Sequence, residues 1–505
     1  MKRLLLFFLV LLLFTGCNPK QAPEQIEDKS HIKQESSTKE ENNNTPSVDS
    51  EIKYTVKNDG GNFSSEDLIY FIMVDRFYDG DETNNNFDDV DKNDPIKFHG
   101  GDIKGIIEKL DYIKSLGATA IWLTPVLKNE PNGYHGYWTY DFYDVDPHFG
   151  SMKDLKLLVE KAHSMDIKVL FDHIVNHTGY NHPWVTAPEK EDWFHPKKDI
   201  TNWNDQKQVE DGWLHGLPDL NQDNPEVSKY LYDNTLWWIE NTGIDGMRLD
   251  TMRHVSKEFW NEFAKEIKDK YPDFYLIGEV WNNNPRYLEL YHQVGIDGMT
   301  NYPLFDGIRD TFKQFGKTSA LVSAIEKEKF YSNPEINGVF LDNHDNKRLI
   351  TQAGDNGEEY LRQALAFVMT YKAIPVIYYG TEIAMEGGDD PDNRRDMQWE
   401  KIQDSKTLEF YKTLVTLRQS NEALKSGEFK LLDYDNEFIS YSRYTDDKAV
   451  IVIINIKDKQ KEVSIDIDHS AISFKNIFSD TVYSAGNGKI KIDLKPFDII
   501  ILESK

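Results

Sequence analysis

Gly246-Met247-Arg248-Leu249-Asp250 is a short apolar run that carries one cation and ends on an acid. Runs of the same build recur along the chain, separated by longer helical patterns. Leu68–Val74, Ala120–Thr124 and Lys168–Asp172 precede it; Tyr275–Glu279, Gly298–Tyr302, Gly338–Asp342 and Pro375–Tyr379 follow. Eight short strands separated by helices are what a (β/α)8 barrel requires. A doubly wound sheet also alternates, but eight units over about 330 residues favour closure.

Between the third and fourth runs lies a long segment, about His177 to Leu217, rich in Trp, His, Asn and Asp. It reads as a small inserted subdomain. After a helical pattern at Ser405–Ser420 the chain turns strand-like: Phe438–Tyr444, Ala449–Asn455, Glu462–Ile467, Val482–Ser484, Ile490–Leu494 and Asp498–Leu502. Short strands at this spacing, with Gly and Asn turns, predict a C-terminal antiparallel β-sandwich. The fold class is therefore α/β: a (β/α)8 TIM barrel over residues 51–424, a small inserted subdomain after strand 3, and a sandwich over 425–505.

Composition sets the outer limits. Of 505 residues, 86 are Asp or Glu against 58 Lys or Arg, a formal charge of -28. Phosphate recognition needs a basic face, so a general nucleic-acid binder is excluded. With 27 Phe, 26 Tyr and 11 Trp, the chain is too aromatic for a disordered protein. The amino terminus has a separate grammar: Lys2 and Arg3, then the apolar run Leu4–Phe14, then Thr15-Gly16-Cys17. The run is well short of the roughly 20 residues a spanning helix needs, and reads as a secretory signal. Its end resembles a bacterial lipobox, which places a lipid anchor on Cys17, the single cysteine. Residues 18–50 are dominated by Gln, Glu, Lys, Ser, Asn and Thr and read as a flexible tether. An extracellular protein held to the membrane through its lipid alone is the expectation.

Barrel active sites form at the carboxyl ends of the strands, so strand-terminal polar residues matter most. Asp172, Asp250 with Arg248, Glu279, and then Asp342, His344 and Asp345 end or follow four different runs. Carboxylates gathered this way mean either a metal site or paired acid and nucleophile chemistry. Glycosidases need two, one attacking the anomeric carbon and one protonating the departing oxygen. Burial and like-charge proximity would raise the acid's pKa and leave its partner ionised. Tyr134, Tyr137, Trp138, Trp193 and Trp203 supply faces on which sugar rings stack.

The segments Asp172-His-Ile-Val-Asn-His177, Gly246-Met-Arg-Leu-Asp-Thr-Met-Arg-His254, Gly278-Glu-Val-Trp281 and Phe340-Leu-Asp-Asn-His-Asp345 resemble the four signature regions of the α-amylase family, glycoside hydrolase family 13. Leu217-Pro-Asp-Leu-Asn221 resembles the fifth. Tyr78–Asn85, His99–Asp102, Tyr134–Trp138 and Asp389–Arg394 extend the likeness. The resemblance implies Asp250 as nucleophile, Glu279 as general acid/base and Asp345 as the third carboxylate. It implies that Arg248 positions the nucleophile, and that His135, Tyr137, His177 and His344 bind the sugar before the scissile bond. Asp390 and Arg394 match residues on the non-reducing side. Retention of the anomeric configuration is the implied outcome. Two departures stand out: Arg253 where the family often has Lys, and Asp396 where many relatives have Pro.

Asp79, Asp81, Asn84, Asn85 and Asp102 form a set of hard oxygen ligands in a Gly-containing loop, suited to Ca2+ though not in EF-hand spacing. The resemblance adds the Gly100 carbonyl to this site, and implies a second calcium site at Asn176, Asp219 and the carbonyl of His254. His163, His182 and His195 read as surface or structural residues. No Cys/His cluster suits zinc and no glycine loop suits phosphate. The resulting expectation is retaining, endo-type hydrolysis of α-1,4-glucosidic bonds in starch and maltodextrins. Cyclomaltodextrinase, neopullulanase or glucanotransferase activity on the same scaffold stays open, as does a non-catalytic surface glycan-binding lipoprotein.

Overall fold

A computed structural model describes residues 60–467 and 469–505. The signal run, Cys17 and the tether therefore lie outside the described residues. Among the described residues no helix is long and apolar enough to cross a membrane.

Eight parallel strands form the central sheet: β1 (Ile69–Ile72), β2 (Ala120–Leu123), β3 (Lys168–His173), β4 (Gly246–Leu249), β5 (Tyr275–Gly278), β6 (Gly298–Met299), β7 (Gly338–Phe340) and β8 (Ile374–Tyr378). They hydrogen-bond in the order β6-β5-β4-β3-β2-β1-β8-β7. A parallel bridge from Thr300 to Gly338 joins the two outer strands and closes the ring. Nearly every strand residue is buried, as it must be when helices cover the outside and side chains fill the inside.

The strands end earlier than the apolar runs suggest. Asp250, Glu279 and Asp342 each sit one or two residues past the last strand residue, which places them on the rim. The largest correction is at Gly298–Tyr302, where β6 has only two residues. Asn301 turns the chain there: its side chain accepts from Leu304 N at 3.1 Å and caps a helix, Tyr302–Thr311, with Pro303 in the first turn. Tyr302 is thus a helical residue facing the rim. The helix entering β4, Pro225–Thr242, is capped by Asn224 and stops at Gly243, whose left-handed φ of 72° suits glycine.

Between β3 and β4 the inserted segment folds as short helical turns, Pro183–Thr186, Pro188–Trp193, Gln206–Glu210 and Leu214–Gly216. It returns to the barrel through antiparallel bridges His177–Asp219 and Phe194–Leu220.

The C-terminal part has eight antiparallel strands, β9 (Glu428–Tyr434), β10 (Phe438–Tyr444), β11 (Ala449–Asn455), β12 (Lys461–Asp466), β13 (Ser473–Asn476), β14 (Val482–Ser484), β15 (Lys489–Leu494) and β16 (Ile499–Ser504). β9 and β13 were not legible as strands: β9 lies half-buried with an irregular register to β10, and β13 has four residues. One sheet runs β9-β10-β11-β16-β13-β14, and β12 pairs with β15 beneath it. Phe438, Ile451, Ile453, Ile465, Ile492 and Leu502 form the core between them. The other face, with Ile439, Tyr441, Val452 and Ile454, is continuous with the barrel core. Thr370 and Tyr441 hydroxyls meet at 2.6 Å, and buried Arg443 donates to the Tyr371 carbonyl at 3.0 Å.

Candidate active site

The carboxyl rim of β3, β4, β5 and β7 gathers acids around one buried cation, Arg248. Arg248 points inward from β4. Its Nη1 donates to Asp172 Oδ1 at 2.8 Å and to Asp250 Oδ1 at 2.6 Å. Its Nη2 lies 2.7 Å from Glu279 Oε1. A planar guanidinium suits this work because its donors are fixed in a fork. Trp122 Nε1 and the Tyr137 hydroxyl, at 3.1 and 2.8 Å, both donate to Asp172 Oδ2, so that carboxylate is fully occupied. Asp172 therefore anchors Arg248 and leaves Asp250 and Glu279 facing the cleft.

Asp250 Oδ2 accepts from the Thr251 hydroxyl at 3.1 Å, while the Thr251 backbone N–H reaches Glu279 Oε2 at 3.2 Å. Thr251 achieves this from a left-handed backbone, φ 44°; a β-branched residue held there is strained, and such strain is typical of functional sites. Burial pushes the Glu279 carboxyl up to about 7 against the opposing pull of Arg248, with Asp250, Asp345 and Asp172 adding to the rise. A group poised there carries a proton near neutrality and can lose it.

Asp345 faces the cleft from after β7, its side chain 26% exposed. Loss of hydration raises its pKa, opposed by Arg394 and Arg248. Arg394 Nη2 stands 3.5 Å from its carboxylate, and Nη1 is 3.1 Å from Asp390. Arg394 also donates to the His344 carbonyl at 2.8 Å and to the Tyr134 hydroxyl at 3.2 Å. Tyr137 lies parallel to His344, ring centres 5.0 Å apart. Burial drives His135 and His344 well below the usual imidazole range and lowers His177. Three neutral imidazoles beside three acids can both donate to and accept from hydroxyl groups. His135 already accepts from Tyr137 N at 3.0 Å, and His177 Nε2 lies 3.2 Å from the Tyr137 carbonyl.

Asp250, Glu279, Asp345, Arg248, His135, Tyr137, His177, His344, Asp390 and Arg394 thus converge on one rim, while Trp203 lies beside Arg253 and His254. Trp193 does not join them: it is buried in the insert against Trp184 and Tyr230. Trp122, Thr251, Tyr302 and Asn343 were missed as site residues. None is an acid at a strand end; Thr251 and Asn343 fall inside the family-like segments Gly246–His254 and Phe340–Asp345, which could have flagged them, while Trp122 and Tyr302 are marked only by their spatial neighbours. Of the two departures, Arg253 donates to the Trp203 carbonyl and holds the insert, and Asp396 pairs with His99 Nδ1 at 2.7 Å. His195 proves structural, 2.6 Å from Asp219. A cavity of about 470 Å³, lined by Asp67, Thr119, Lys168 and Arg418, lies at the opposite, amino end of the strands, where barrels keep stability rather than chemistry.

The proposed cation ligands fall into two places. In the first, Asp79 Oδ1, Asn84 Oδ1 and Asn85 Oδ1 are buried without a hydrogen-bond partner among the described residues. Asp102 caps a helix and accepts from Asn84, and Asp81 is taken up by Thr83 and Lys104. Gly100, at φ 87°, lies so close to Asn85 that a Cβ would meet its Oδ1 at 2.4 Å. In the second, one end of the Asn176 amide is 3.2 Å from Asp219 Oδ1 and 3.0 Å from the His254 carbonyl oxygen. Among the described residues no group of three or more His, Cys, Asp or Glu is arranged around a metal position, so a cation at either place would rely on amide and carbonyl oxygens.

A barrel whose carboxyl rim groups three acids around an arginine, with burial pushing Glu279 and the anchoring Asp172 each up to about 7, has the make-up of a glycosidase. Comparison with known proteins gives the family. A model described as "Alpha amylase, catalytic domain" matches residues 71–413. The chain is 38% identical over 455 residues to a Beta/alpha-amylase of Paenibacillus polymyxa, covering 86% of this chain and 37% of that protein, little more than a third of its length. It is 34% identical over 415 residues to a Cyclomaltodextrinase of a Bacillus species, covering 77% of this chain and 72% of that one. The α-amylase of Geobacillus thermoleovorans, solved with acarbose, matches with a TM-score of 0.82 at 45% identity, covering 87% of this chain and 98% of that chain. The chain belongs to the α-amylase family, the glycoside hydrolases of family 13.

Proposed function

We propose that the chain hydrolyses α-1,4-glucosidic bonds within starch and maltodextrins, with retention of configuration. The observation that carries this reading is the single guanidinium of Arg248 touching both Asp250 and Glu279, with the Glu279 proton held to about pH 7. Sharing one guanidinium keeps the two carboxyls close, as retention demands. Asp250 attacks the anomeric carbon as the bond to the leaving oxygen breaks, and Glu279 gives that oxygen its proton. Water then enters, Glu279 takes its proton, and the oxygen displaces Asp250. Asp345 binds sugar hydroxyls and favours the flattened, cationic transition state. Arg248 positions the nucleophile. His135, Tyr137, His177 and His344 hold the sugar before the scissile bond, and Asp390 and Arg394 hold the chain on its non-reducing side.

Calcium belongs to this reading as a structural ion. Asp79, Asn84, Asn85, Asp102 and the Gly100 carbonyl would hold one ion, and three unpartnered oxygens support it. Asp81, engaged with Lys104, would join only by releasing it. Asn176, Asp219 and the His254 carbonyl would hold a second ion, tying the insert to the barrel; the facing oxygens there support it. Export and a lipid anchor at Cys17 complete the proposal.

Cyclodextrin hydrolysis is the second reading, favoured by the cyclomaltodextrinase relative. The test is the product profile of the purified chain on soluble starch, with Glu279→Gln as control. Short linear maltooligosaccharides absent from the control would support endo-type hydrolysis. Cyclic or elongated products would assign it to the transferases, and no products at all would leave a glycan-binding protein. Faster turnover of cyclodextrins than of starch would favour the second reading.

A further inference from the structure

Beside Glu279, at the same Oε1 that Arg248 faces, lies the phenol of Tyr302. It is fully buried in the first turn of the helix Tyr302–Thr311, and the half-exposed ring of Trp281 stacks on it at 5.1 Å and 16°. The Tyr302 hydroxyl donates to Glu279 Oε1 at 3.2 Å. Its direction is fixed from behind: Asn343 Nδ2 donates to the same hydroxyl at 3.2 Å. The Asn343 amide cannot turn round. Its Oδ1 already accepts from Asp345 N at 3.0 Å and from Asn346 Nδ2 at 2.8 Å. A phenol that receives a bond from an amide N–H has its own proton free to give, and Glu279 Oε1 is the acceptor in line.

Oε1 therefore accepts a hydrogen bond from Tyr302 and faces Arg248 Nη2 at 2.7 Å; a guanidinium cannot accept a bond in return, and the phenol could do so only by turning its own proton away from Glu279. A proton on Oε1 would face both. Oε2 accepts from the Thr251 backbone N–H at 3.2 Å and, among the described residues, takes neither the Tyr302 bond nor the close Arg248 contact.

Resting on the reading of Glu279 as the acid/base, we propose that Tyr302, directed by Asn343, is a positioning residue for Glu279 that forces the transferable proton onto Oε2, the oxygen facing the glycosidic bond. The groups facing Glu279 are Arg248 and Asp250 from β4 and its end, Asp172 from β3, Asp345 from after β7, the Thr251 N–H and Tyr302 itself. All but Tyr302 stay in place in a Tyr302→Phe variant, which keeps the ring and its stack on Trp281.

A bond donated to the carboxylate favours its ionised form, so its removal raises the Glu279 pKa. In the full chain, Tyr302→Phe should move the alkaline limb of the kcat/KM profile up by about half a unit. On maltotetraose, whose departing sugar needs a proton, kcat should fall roughly tenfold with KM nearly constant. On a chloronitrophenyl maltooligoside, whose leaving group needs none, the rate should stay within about twofold. An unmoved limb, or equal losses on both substrates, would overturn the proposal and leave Tyr302 a packing residue. Asn343→Asp reads the same claim without touching the ring. It keeps the oxygen held by Asp345 N and Asn346, and offers the phenol an acceptor that draws its proton away from Glu279. Loss confined to maltotetraose is again the expected result, and equal loss on both the contrary one. Glu279→Gln, measured alongside, separates the two levels: a wild-type rate on maltotetraose in that variant would sink the acid/base reading itself, whatever Tyr302 does.

Discussion

Arg248 holds the site at the level of single residues. Among the described residues it is the one cation within bonding distance of Asp172, Asp250 and Glu279, and it is as buried as they are. Breaking a buried charge cluster by removing one partner costs about 3–5 kcal/mol, because the remaining charges lose their compensation. Arg248→Met should therefore lower the thermal midpoint by several degrees, besides abolishing turnover, and calorimetry at pH 7 reads it. Glu279 titrates in the opposite sense from a salt-bridged surface acid. Its pKa rises from the ordinary 4.5 to about 7 on folding, so below pH 4.5 it is protonated in both states and costs nothing. As pH climbs through 4.5 to 7 the native protein must retain a proton or carry a disfavoured charge, and stability is lost. Glu279→Gln escapes this: its midpoint should exceed that of the wild type by a few degrees at pH 8 and match it near pH 4.5. As acid, Glu279 must be protonated, so kcat/KM on oligosaccharides should decline above about pH 7.

Whole elements set where those residues stand, and they differ in how openly the sequence announced them. β4 and β5 could be read directly, since a glycine, a few apolar residues and an acid admit one interpretation in a barrel. β6 could not: Gly298-Met-Thr-Asn-Tyr302 mixes apolar and polar residues, and only the Asn301 cap and Pro303 decide that the strand stops at Met299. That single boundary hid Tyr302, because a strand residue there has no reason to face Glu279. The acids were legible because chemistry confines them to strand ends. Trp122 and Asn343 were not, because their roles depend on partners 50 and 41 residues away in sequence. The loop 79–102 is the element with the sharpest test. Gly100→Ala puts a Cβ against Asn85 Oδ1 at a position whose φ disfavours side chains. The variant should lose about 1–3 kcal/mol, and with it the thermal gain that the calcium proposal expects in the wild type. An equal calcium response in both would place the ion elsewhere.

At the scale of the molecule, the sandwich and barrel share one apolar core through the outer face of β10 and β11, and Arg443 and Tyr441 bond directly to the end of a barrel helix. The two parts should unfold in one transition. The two proposed calcium positions would tie down the loop 79–102 and, through Asn176, Asp219 and the His254 carbonyl, join the insert to the barrel. Chelation should therefore lower the midpoint of the whole chain, and an unchanged midpoint would remove calcium from the account. The anomeric form of the newly made reducing end reports on the pairing of Asp250 and Glu279 in a retaining hydrolysis. Proton NMR in the first minutes of maltoheptaose hydrolysis should show the α anomer accumulating ahead of mutarotation, and none in Glu279→Gln. A β anomer appearing first, or intact maltoheptaose in the wild type, would contradict the account.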